Sequence, residues 1–247
     1  MATATAVPEQ QQPQMSGFAR AFNVLFSPKA TFEDIVRKPS WIVPIALLTI
    51  FSIGAGALIS KKVDWASFIR AQSEKSAAFQ QLSDDQKQQR VDIGAKFAPM
   101  AAWIFAVCGP ILFAVILTLV YWAAFNVISG AQLRFGVPFG IVSHSFMPSI
   151  FATILLIVVL SMKSYGEVNP NTMLASNLAA YVPSDSPNWL ISLGQSLDVF
   201  WIWTMALLVI GFKAANPRKI SSASAFGTVF GLWAIYVLVK VGWASMM

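Results

Sequence analysis

Charged side chains are scarce in this sequence. Only 11% of its 247 residues are Asp, Glu, Lys or Arg, whereas 56% are hydrophobic, and a soluble domain carries about 25% charged residues. There is too little polar surface to cover a water-soluble globule of this size. The apolar residues also fall in long runs rather than in the short periodic stripes of a large soluble core. We therefore predict an integral membrane protein.

Cysteine and histidine are nearly absent. Cys108 is the single cysteine, which excludes an intrachain disulfide and a cysteine-rich metal site, and His144, the single histidine, makes no metal site alone. The sequence also lacks the HExxH, G-x-S-x-G, P-loop and G-x-G-x-x-G motifs. These absences predict a non-enzymatic protein that needs no cofactor and no metal.

Five apolar runs reach the length of about 20 residues that a helix needs to cross hydrocarbon. The predicted spans cover about 41–60, 100–128, 138–162, 189–212 and 224–245. The predicted fold class is therefore all-α, a polytopic bundle of five transmembrane helices. We treat 41–245 as one membrane domain.

The N-terminal region divides into two parts. Residues 1–16 are rich in Gln, Pro and Ala and lack a basic segment before an apolar one, so they predict a disordered tail rather than a cleaved signal peptide. In 17–40 large apolar residues repeat at helical spacing: Phe18, Phe22, Leu25 and Phe26. Ser27-Pro28 then restarts a helix. The pattern predicts one or two juxtamembrane amphipathic helices at the membrane interface, with a solvated linker as the alternative.

The segment 61–98 is the one sizeable polar stretch, and we predict a polar loop there. Ser83-x-x-Gln86 within it resembles a capping box, so a helix is expected to begin near Asp84. Two prolines, which lack a backbone N–H, are predicted to kink the second and third spans: Pro110 and Pro148.

Polar side chains inside the spans are candidate functional residues. Asp198 lies within the fourth span, where a carboxylate is costly without a partner. Lys240 lies at similar depth in the antiparallel fifth span, so we predict a structural ion pair between Lys240 and Asp198. The alternatives are a solvated or interfacial Asp198 and a transport-type carboxylate. The first third of the third span contains three polar residues: Ser143, His144 and Ser145. They form either the hydrogen-bonded start of a helix or part of a polar pathway. A depth gap of roughly 10 Å argues against a direct His144–Asp198 relay.

Two small-residue patterns are candidate helix-packing faces. Ser52, Gly56 and Ser60 repeat every four residues in the first span, and Gly227-x-x-x-Gly231 lies in the fifth. Small residues let membrane helices approach closely. The two faces would pack against each other or against another copy of the chain.

The charge distribution bears on orientation and partners. With the N-terminus inside, eight Lys and Arg residues lie on the inner side and nine on the outer side, but seven of those nine belong to 61–98. Without that segment the count favours a cytoplasmic N-terminus. The net charge of +6 is scattered over loops beside the spans, so it predicts contact with the lipid bilayer and not with nucleic acid.

Three stretches carry a family resemblance: FNVLFSPKATFEDIVRKPSWIVPIALL, FGIVSHSFMPSI and SLDVFWIWTMALLVIGFKAANPRKISSASAFGTVFGLWAIYVLV. They resemble the prokaryotic branch of the Yip domain family, named for eukaryotic Ypt/Rab-interacting proteins. The resemblance implies five membrane-spanning helices, a cytoplasmic N-terminus and a bacterial or archaeal plasma membrane. The positions that match recurring ones of the family are Pro148, Asp198, Phe200, Trp203 and Gly211.

The chain departs from the eukaryotic members of that family. It lacks their acidic-Leu-Tyr-Gly-Pro stretch and their Tyr-Gly motif in the third span, so binding of a small GTPase is not expected. Two functions stay open. The first is a scaffold or membrane-organising, trafficking-like factor that binds lipid, other membrane proteins or itself. The second is a transporter or channel component that uses Asp198 and the polar start of the third span.

Overall fold

A computed structural model of the chain describes residues 14–74, 76–168, 173–183 and 186–246. Most of the tail predicted for 1–16 lies outside these ranges, although 14–16 precede the first helix directly. Apart from one isolated backbone bridge, between Asn177 and Asp198, the regular structure in the described ranges is helical. The all-α fold class is confirmed.

The described part of the chain contains eleven α-helices and a short 3-10 helix at Leu178–Tyr181. The α-helices are α1 (Gly17–Phe26), α2 (Pro28–Arg37), α3 (Ile42–Lys62), α4 (Trp65–Ser73), α5 (Ala77–Gln80), α6 (Asp84–Ile128), α7 (Gly136–Ser145), α8 (Pro148–Met162), α9 (Asn188–Ser196), α10 (Val199–Ala215) and α11 (Ser222–Ser245). In these ranges four segments are long and apolar enough to cross a membrane: α3, α6, α7 together with α8, and α11. The apolar helix α10 is shorter, at 17 residues.

Helices α1 and α2 form a hairpin that packs on the bundle. The Ser16 hydroxyl accepts a hydrogen bond from the backbone N–H of Ala19 and caps α1. Pro28 begins α2, and its missing N–H costs nothing there because the first N–H groups of a helix have no partner within that helix. The buried side of α2 meets the C-terminal part of α10. Gly211 makes this approach possible, because a Cβ there would lie only 3.1 Å from the Phe32 ring.

A buried ion pair holds the hairpin together. Arg20 Nε lies 2.7 Å from Asp34 Oδ2, and the two side chains are 3% and 5% exposed. Arg20 Nη1 donates to the Lys38 carbonyl and to the Ser40 hydroxyl, each at 2.8 Å. The backbone N–H of Met15 donates to Asp34 Oδ2. These added bonds matter because a buried pair offsets its desolvation cost only when its remaining donors and acceptors are satisfied.

The segment 61–98, predicted as a polar loop, is largely helical: α4, α5 and the first four turns of α6 lie within it. Asp64 caps α4, since its carboxylate accepts from the Ser67 hydroxyl at 2.7 Å and from the Ser67 backbone N–H at 3.2 Å. The hydroxyl bond, followed by the backbone bond, holds the pKa of Asp64 below its ordinary value. Most side chains of these helices are exposed or half-buried, which agrees with the polar composition of the segment.

Helix α6 is one element of 45 residues. It begins with the capping box: Ser83 Oγ accepts from the Gln86 N–H, and Gln86 Oε1 accepts from the Ser83 N–H. At 1.5 Å per residue it is roughly 68 Å long, more than twice the hydrocarbon thickness. The helix continues through Pro99 and through Pro110, the predicted kink. The second predicted span is therefore the C-terminal two thirds of a longer helix.

The third predicted span is divided at its proline. Helix α7 ends at Ser145 and α8 begins at Pro148. Pro148 has no N–H to donate to the His144 carbonyl, which instead accepts from the Met147 N–H at 3.1 Å. The missing donor thus explains the break.

The fourth predicted span is divided as well, between α9 and α10 at Leu197 and Asp198. With 17 residues, α10 covers roughly 25 Å, close to the hydrocarbon thickness of about 30 Å. Asp198 therefore lies at the N-terminus of α10 and not within a continuous helix.

The small-residue faces have different surroundings. A Cβ at Gly56 would lie 2.7 Å from the Ala106 Cβ, so this glycine permits the close approach of α3 and α6. A Cβ at Gly227 or Gly231 would meet nothing within 4 Å. The two predicted faces therefore do not pack on each other. The two serines of the α3 pattern are half-buried: Ser52 and Ser60.

The bundle has two distinct ends. The loops 129–135 and 216–221 meet beside the α1–α2 hairpin, where Asn216 Nδ2 donates to the Ala131 carbonyl at 3.0 Å. We call this the hairpin end. At the opposite end, the far end, Lys62 Nζ donates to the Ser161 carbonyl at 3.1 Å and joins α3 to α8.

The Arg20–Asp34 pair yields a stability prediction. Arg20→Met or Asp34→Leu alone leaves one buried charge without its partner, which typically costs about 3–5 kcal/mol. We expect either single variant to lower the apparent Tm in detergent more than the double variant Arg20→Met/Asp34→Leu does. Glu33→Gln, on the exposed side of α2, is the matched control and should leave the Tm unchanged. Single-variant losses that simply add in the double variant would contradict the coupling.

Candidate functional site at a broken helix

Asp198 is the N-cap of α10. Its Oδ1 accepts from the backbone N–H groups of Phe200 at 2.9 Å and Trp201 at 3.0 Å. Its Oδ2 accepts from the Ser176 hydroxyl. The first N–H groups of a helix lack partners within that helix, and hydrocarbon supplies none. The carboxylate therefore satisfies backbone groups that the break exposes.

The loop between α8 and α9 also pairs backbone groups at the break between α9 and α10. The Val199 N–H donates to the Ser176 carbonyl at 3.1 Å, and the Leu178 N–H donates to the Leu197 carbonyl at 3.4 Å. Gly194 of α9 packs directly on this loop, since a Cβ there would lie 2.7 Å from a backbone nitrogen. The interrupted backbone is thereby paired within the chain.

Lys240 of α11 reaches the C-terminal turn of α9. Its Nζ donates to the Ser192 carbonyl at 3.3 Å, to Gln195 Oε1 at 3.4 Å and to the Ser196 hydroxyl at 3.4 Å. A cation is favourable here because the carbonyls at a helix C-terminus carry partial negative charge. All three acceptors are neutral groups.

The predicted Asp198–Lys240 ion pair is not present. In the described part of the chain the salt bridges within 4.0 Å join Asp34 to Arg20 and to Arg37. The break between α9 and α10 explains the separation. It gives Asp198 the N-terminus of α10 and gives Lys240 the C-terminus of α9, so each charge faces a helix end of opposite sign.

A lateral groove of about 590 Å³ lies beside this break, between α6 and α11 with α10 as its floor. We call it the α6–α11 groove. Most of the side chains that line the groove are apolar. Its polar side chains include Lys240 and, next to it, Gln195 and Ser196. The lining residues are Phe113, Ile116, Leu117, Val120, Tyr121, Gln195, Ser196, Trp201, Leu232, Trp233, Tyr236 and Lys240.

A second cavity, of about 290 Å³, touches Asp198 from the other side of α10. We call it the Asp198 cavity. Its polar lining is Ser52, Ser149, Thr153, Asp198 and Thr204. Three of the hydroxyls, those of Ser149, Thr153 and Thr204, donate to backbone carbonyls of the preceding turn at 2.6, 2.8 and 2.9 Å. These donors are thus already engaged.

The polar start of the third span is fully buried and lines neither cavity. Ser143 and Ser145 donate to the carbonyls four residues earlier, at 2.7 and 2.8 Å, and His144 Nδ1 donates to the Gly140 carbonyl at 2.8 Å. His144 Nε2 is buried without a partner among the described residues. Back-bonding of this kind bends or ends helices, which fits the end of α7. The structure does not bring these residues to Asp198.

Sequence reasoning missed the Arg20–Asp34 pair. The sequence does indicate this pair, because each charge falls on the apolar side of its helix. Arg20 lies one turn from Val24, and Asp34 lies beside Ile35, and all four residues are buried. It also missed the capping role of Asp198. An Asp directly before an apolar helical run is the usual N-cap pattern.

These features define the class of protein. The chain is an α-helical, multi-pass membrane protein whose intramembrane polar groups mainly cap helices and pair backbone. Among the described residues no group of three or more His, Cys, Asp or Glu side chains is placed to hold a metal ion.

The chain belongs to the Yip1 domain family, whose model matches residues 22–244. It is similar to the membrane protein YknW of Bacillus subtilis (strain 168), with 26% identity over 219 residues that cover 88% of this chain and 87% of YknW. No solved structure matches the chain.

The capping role of Asp198 predicts how its variants behave. Asp198→Asn keeps a side-chain oxygen and Asn caps helices as well as Asp does, so its apparent Tm in detergent should stay near that of the wild type. Asp198→Ala should cost about 0.5–2 kcal/mol, because Phe200 and Trp201 lose their acceptor.

A double variant checks the same prediction. The losses of Tm in Asp198→Asn and Lys240→Gln should show little coupling in the double variant, because no salt bridge joins the two side chains. A coupling above about 0.5 kcal/mol would support the ion pair instead.

Proposed function

We propose that this protein is a non-enzymatic scaffold or membrane-organising factor that acts by binding lipid or partner membrane proteins. A row of aromatic side chains on α1 carries this proposal. Phe18, Phe22 and Phe26 repeat every four residues and are 61%, 54% and 77% exposed. They therefore form one continuous outward ridge on a helix whose other side is buried.

The hairpin presents this ridge in a fixed orientation. Arg20, on the buried side of the same helix, is tied to Asp34 and through it to α2. Three basic side chains of the hairpin region are exposed: Lys29, Arg37 and Lys38. Aromatic and basic residues together are typical of helices that lie in the membrane interface beside anionic lipid. The combination supports a surface for lipid or for an interfacial helix of a partner.

The proposal includes a topology. We place the N-terminus in the cytoplasm and the protein in a bacterial or archaeal plasma membrane, with five crossings of which α10 is the fourth. The basic residues of the hairpin end support this orientation, and the similarity to a Bacillus protein supports the location.

Affinity capture tests the proposed surface. The tagged full chain, extracted from its native membrane in mild detergent, should retain membrane proteins that Phe18→Gln/Phe22→Gln/Phe26→Gln loses. The matched control is Val127→Gln/Ile128→Gln, which removes exposed apolar side chains (83% and 66% exposed) from the last turn of α6. The control should retain the same proteins. Equal capture by all three forms would contradict a role for α1.

Transport is the second candidate function, and the Asp198 cavity is the observation that favours it. Our proposal predicts that this cavity is not a water path. In a Cys108→Ser background, Thr153→Cys in the cavity should resist a charged thiol reagent applied to either side of the membrane, as lipid-facing Ile154→Cys should. Ser164→Cys, in the exposed loop after α8, should react and shows that the reagent works. Reaction of Thr153→Cys from both sides would favour transport instead.

A further inference from the structure

The α6–α11 groove differs from an ordinary lipid-facing surface in its shape. Exposed apolar side chains are expected wherever a helix faces hydrocarbon, but here they line a concave space of about 590 Å³, within the roughly 300–1,000 Å³ of ligand pockets. Leu232, Tyr236 and Lys240 follow one another at four-residue spacing along one side. On α6 the lining runs from Phe113 to Tyr121, a length of roughly 12 Å. The groove therefore follows α6 and α11 for about two helical turns.

The two ends of the groove differ in charge. Leu232 and Trp233 make the wall apolar toward the hairpin end, whereas Lys240 lies toward the far end with Gln195 and Ser196. In the described ranges no carboxylate lies within 4.0 Å of the Lys240 ammonium. The C-terminus of α9 carries only a partial negative charge, so a net positive charge remains at this end of the groove and is available to an anion.

We infer that the α6–α11 groove binds one anionic phospholipid, with its phosphate at Lys240 and an acyl chain along the walls of α6 and α11. The amphipathic ligand matches the arrangement of the groove, apolar along its length and cationic at one end. The side-chain amide of Gln195, whose oxygen accepts from Lys240, lies at the same end and supplies N–H donors to a phosphate.

Charge selects an anionic lipid over a zwitterionic one. Both classes carry a phosphate, but a choline headgroup would bring a second cation beside Lys240, whereas a glycerol headgroup leaves the phosphate charge free to neutralise it. This site goes beyond the α1 surface of the proposed function and lies on different helices. Each proposal can therefore fail without the other.

Native mass spectrometry of the full chain tests the site. The protein is purified in detergent and titrated with phosphatidylglycerol or phosphatidylcholine. We expect one phosphatidylglycerol to bind at least about fivefold more tightly than phosphatidylcholine, the factor expected for one basic residue near an anionic lipid. Lys240→Gln should abolish this preference.

Two further variants control for the loss of a lysine outside the groove and test the acyl-chain site separately. Lys163→Gln, which removes a lysine at the far end but outside the groove, should keep the preference of the wild type. Ile116→Trp should fill the groove and weaken both lipids while leaving Lys240 intact, so it tests the acyl chain independently of the charge. The α1 triple variant should keep its lipid preference.

The inference is overturned if the wild type binds both lipids equally, or if Lys240→Gln and Lys163→Gln behave alike. It is also overturned if the spectrum shows a dimer that excludes lipid and that Ile116→Trp converts to a monomer. In that case a second copy of the chain occupies the groove.

Discussion

Hydrocarbon offers no hydrogen-bond partners, so polar groups inside this bundle are expected to find partners within the chain. The buried side-chain polar atoms of the described residues do so, apart from His144 Nε2. The breaks in the third and fourth predicted spans follow this rule. At the first, the His144 carbonyl, to which Pro148 cannot donate, accepts from the Met147 N–H instead. At the second, Asp198 caps α10 while the loop at Ser176 pairs the exposed backbone. The helices can be interrupted because these partners are in place.

The same constraint explains the hairpin. Arg20 and Asp34 face the bundle and not water, and Arg20 gains the Lys38 carbonyl and the Ser40 hydroxyl as further acceptors. One guanidinium thus connects α1, α2 and the entry to α3. Because the charges are satisfied inward, the outward side of α1 is free to carry Phe18, Phe22 and Phe26 without weakening the fold. The exposed ridge and the buried pair are two sides of one helix.

Much of the fold could be predicted from local patterns, and the rest depends on contacts between distant residues. The length of apolar runs predicts membrane helices, and Ser83 with Gln86 predicts the start of α6. The continuity of α6 through Pro99 and Pro110 could not be predicted, because a proline in an apolar run is equally compatible with a new helix start. The Asp198–Lys240 pairing failed for a related reason. The predicted pair requires a continuous fourth span, whereas the break gives Asp198 the N-terminus of α10 and gives Lys240 the C-terminus of α9.

Lys240 differs from Arg20 and Asp34 in that its hydrogen-bond partners among the described residues are neutral groups. Asp198, Ser143 and Ser145 are engaged by backbone, so using any of them for chemistry would require breaking the fold that they hold. The acceptors of Lys240 among the described residues are neutral, and Lys240 borders the α6–α11 groove. The inferred anionic lipid would supply the negative charge that these acceptors lack. Function in this bundle is therefore to be sought on the surfaces where it meets lipid and partners, at α1 and at the α6–α11 groove.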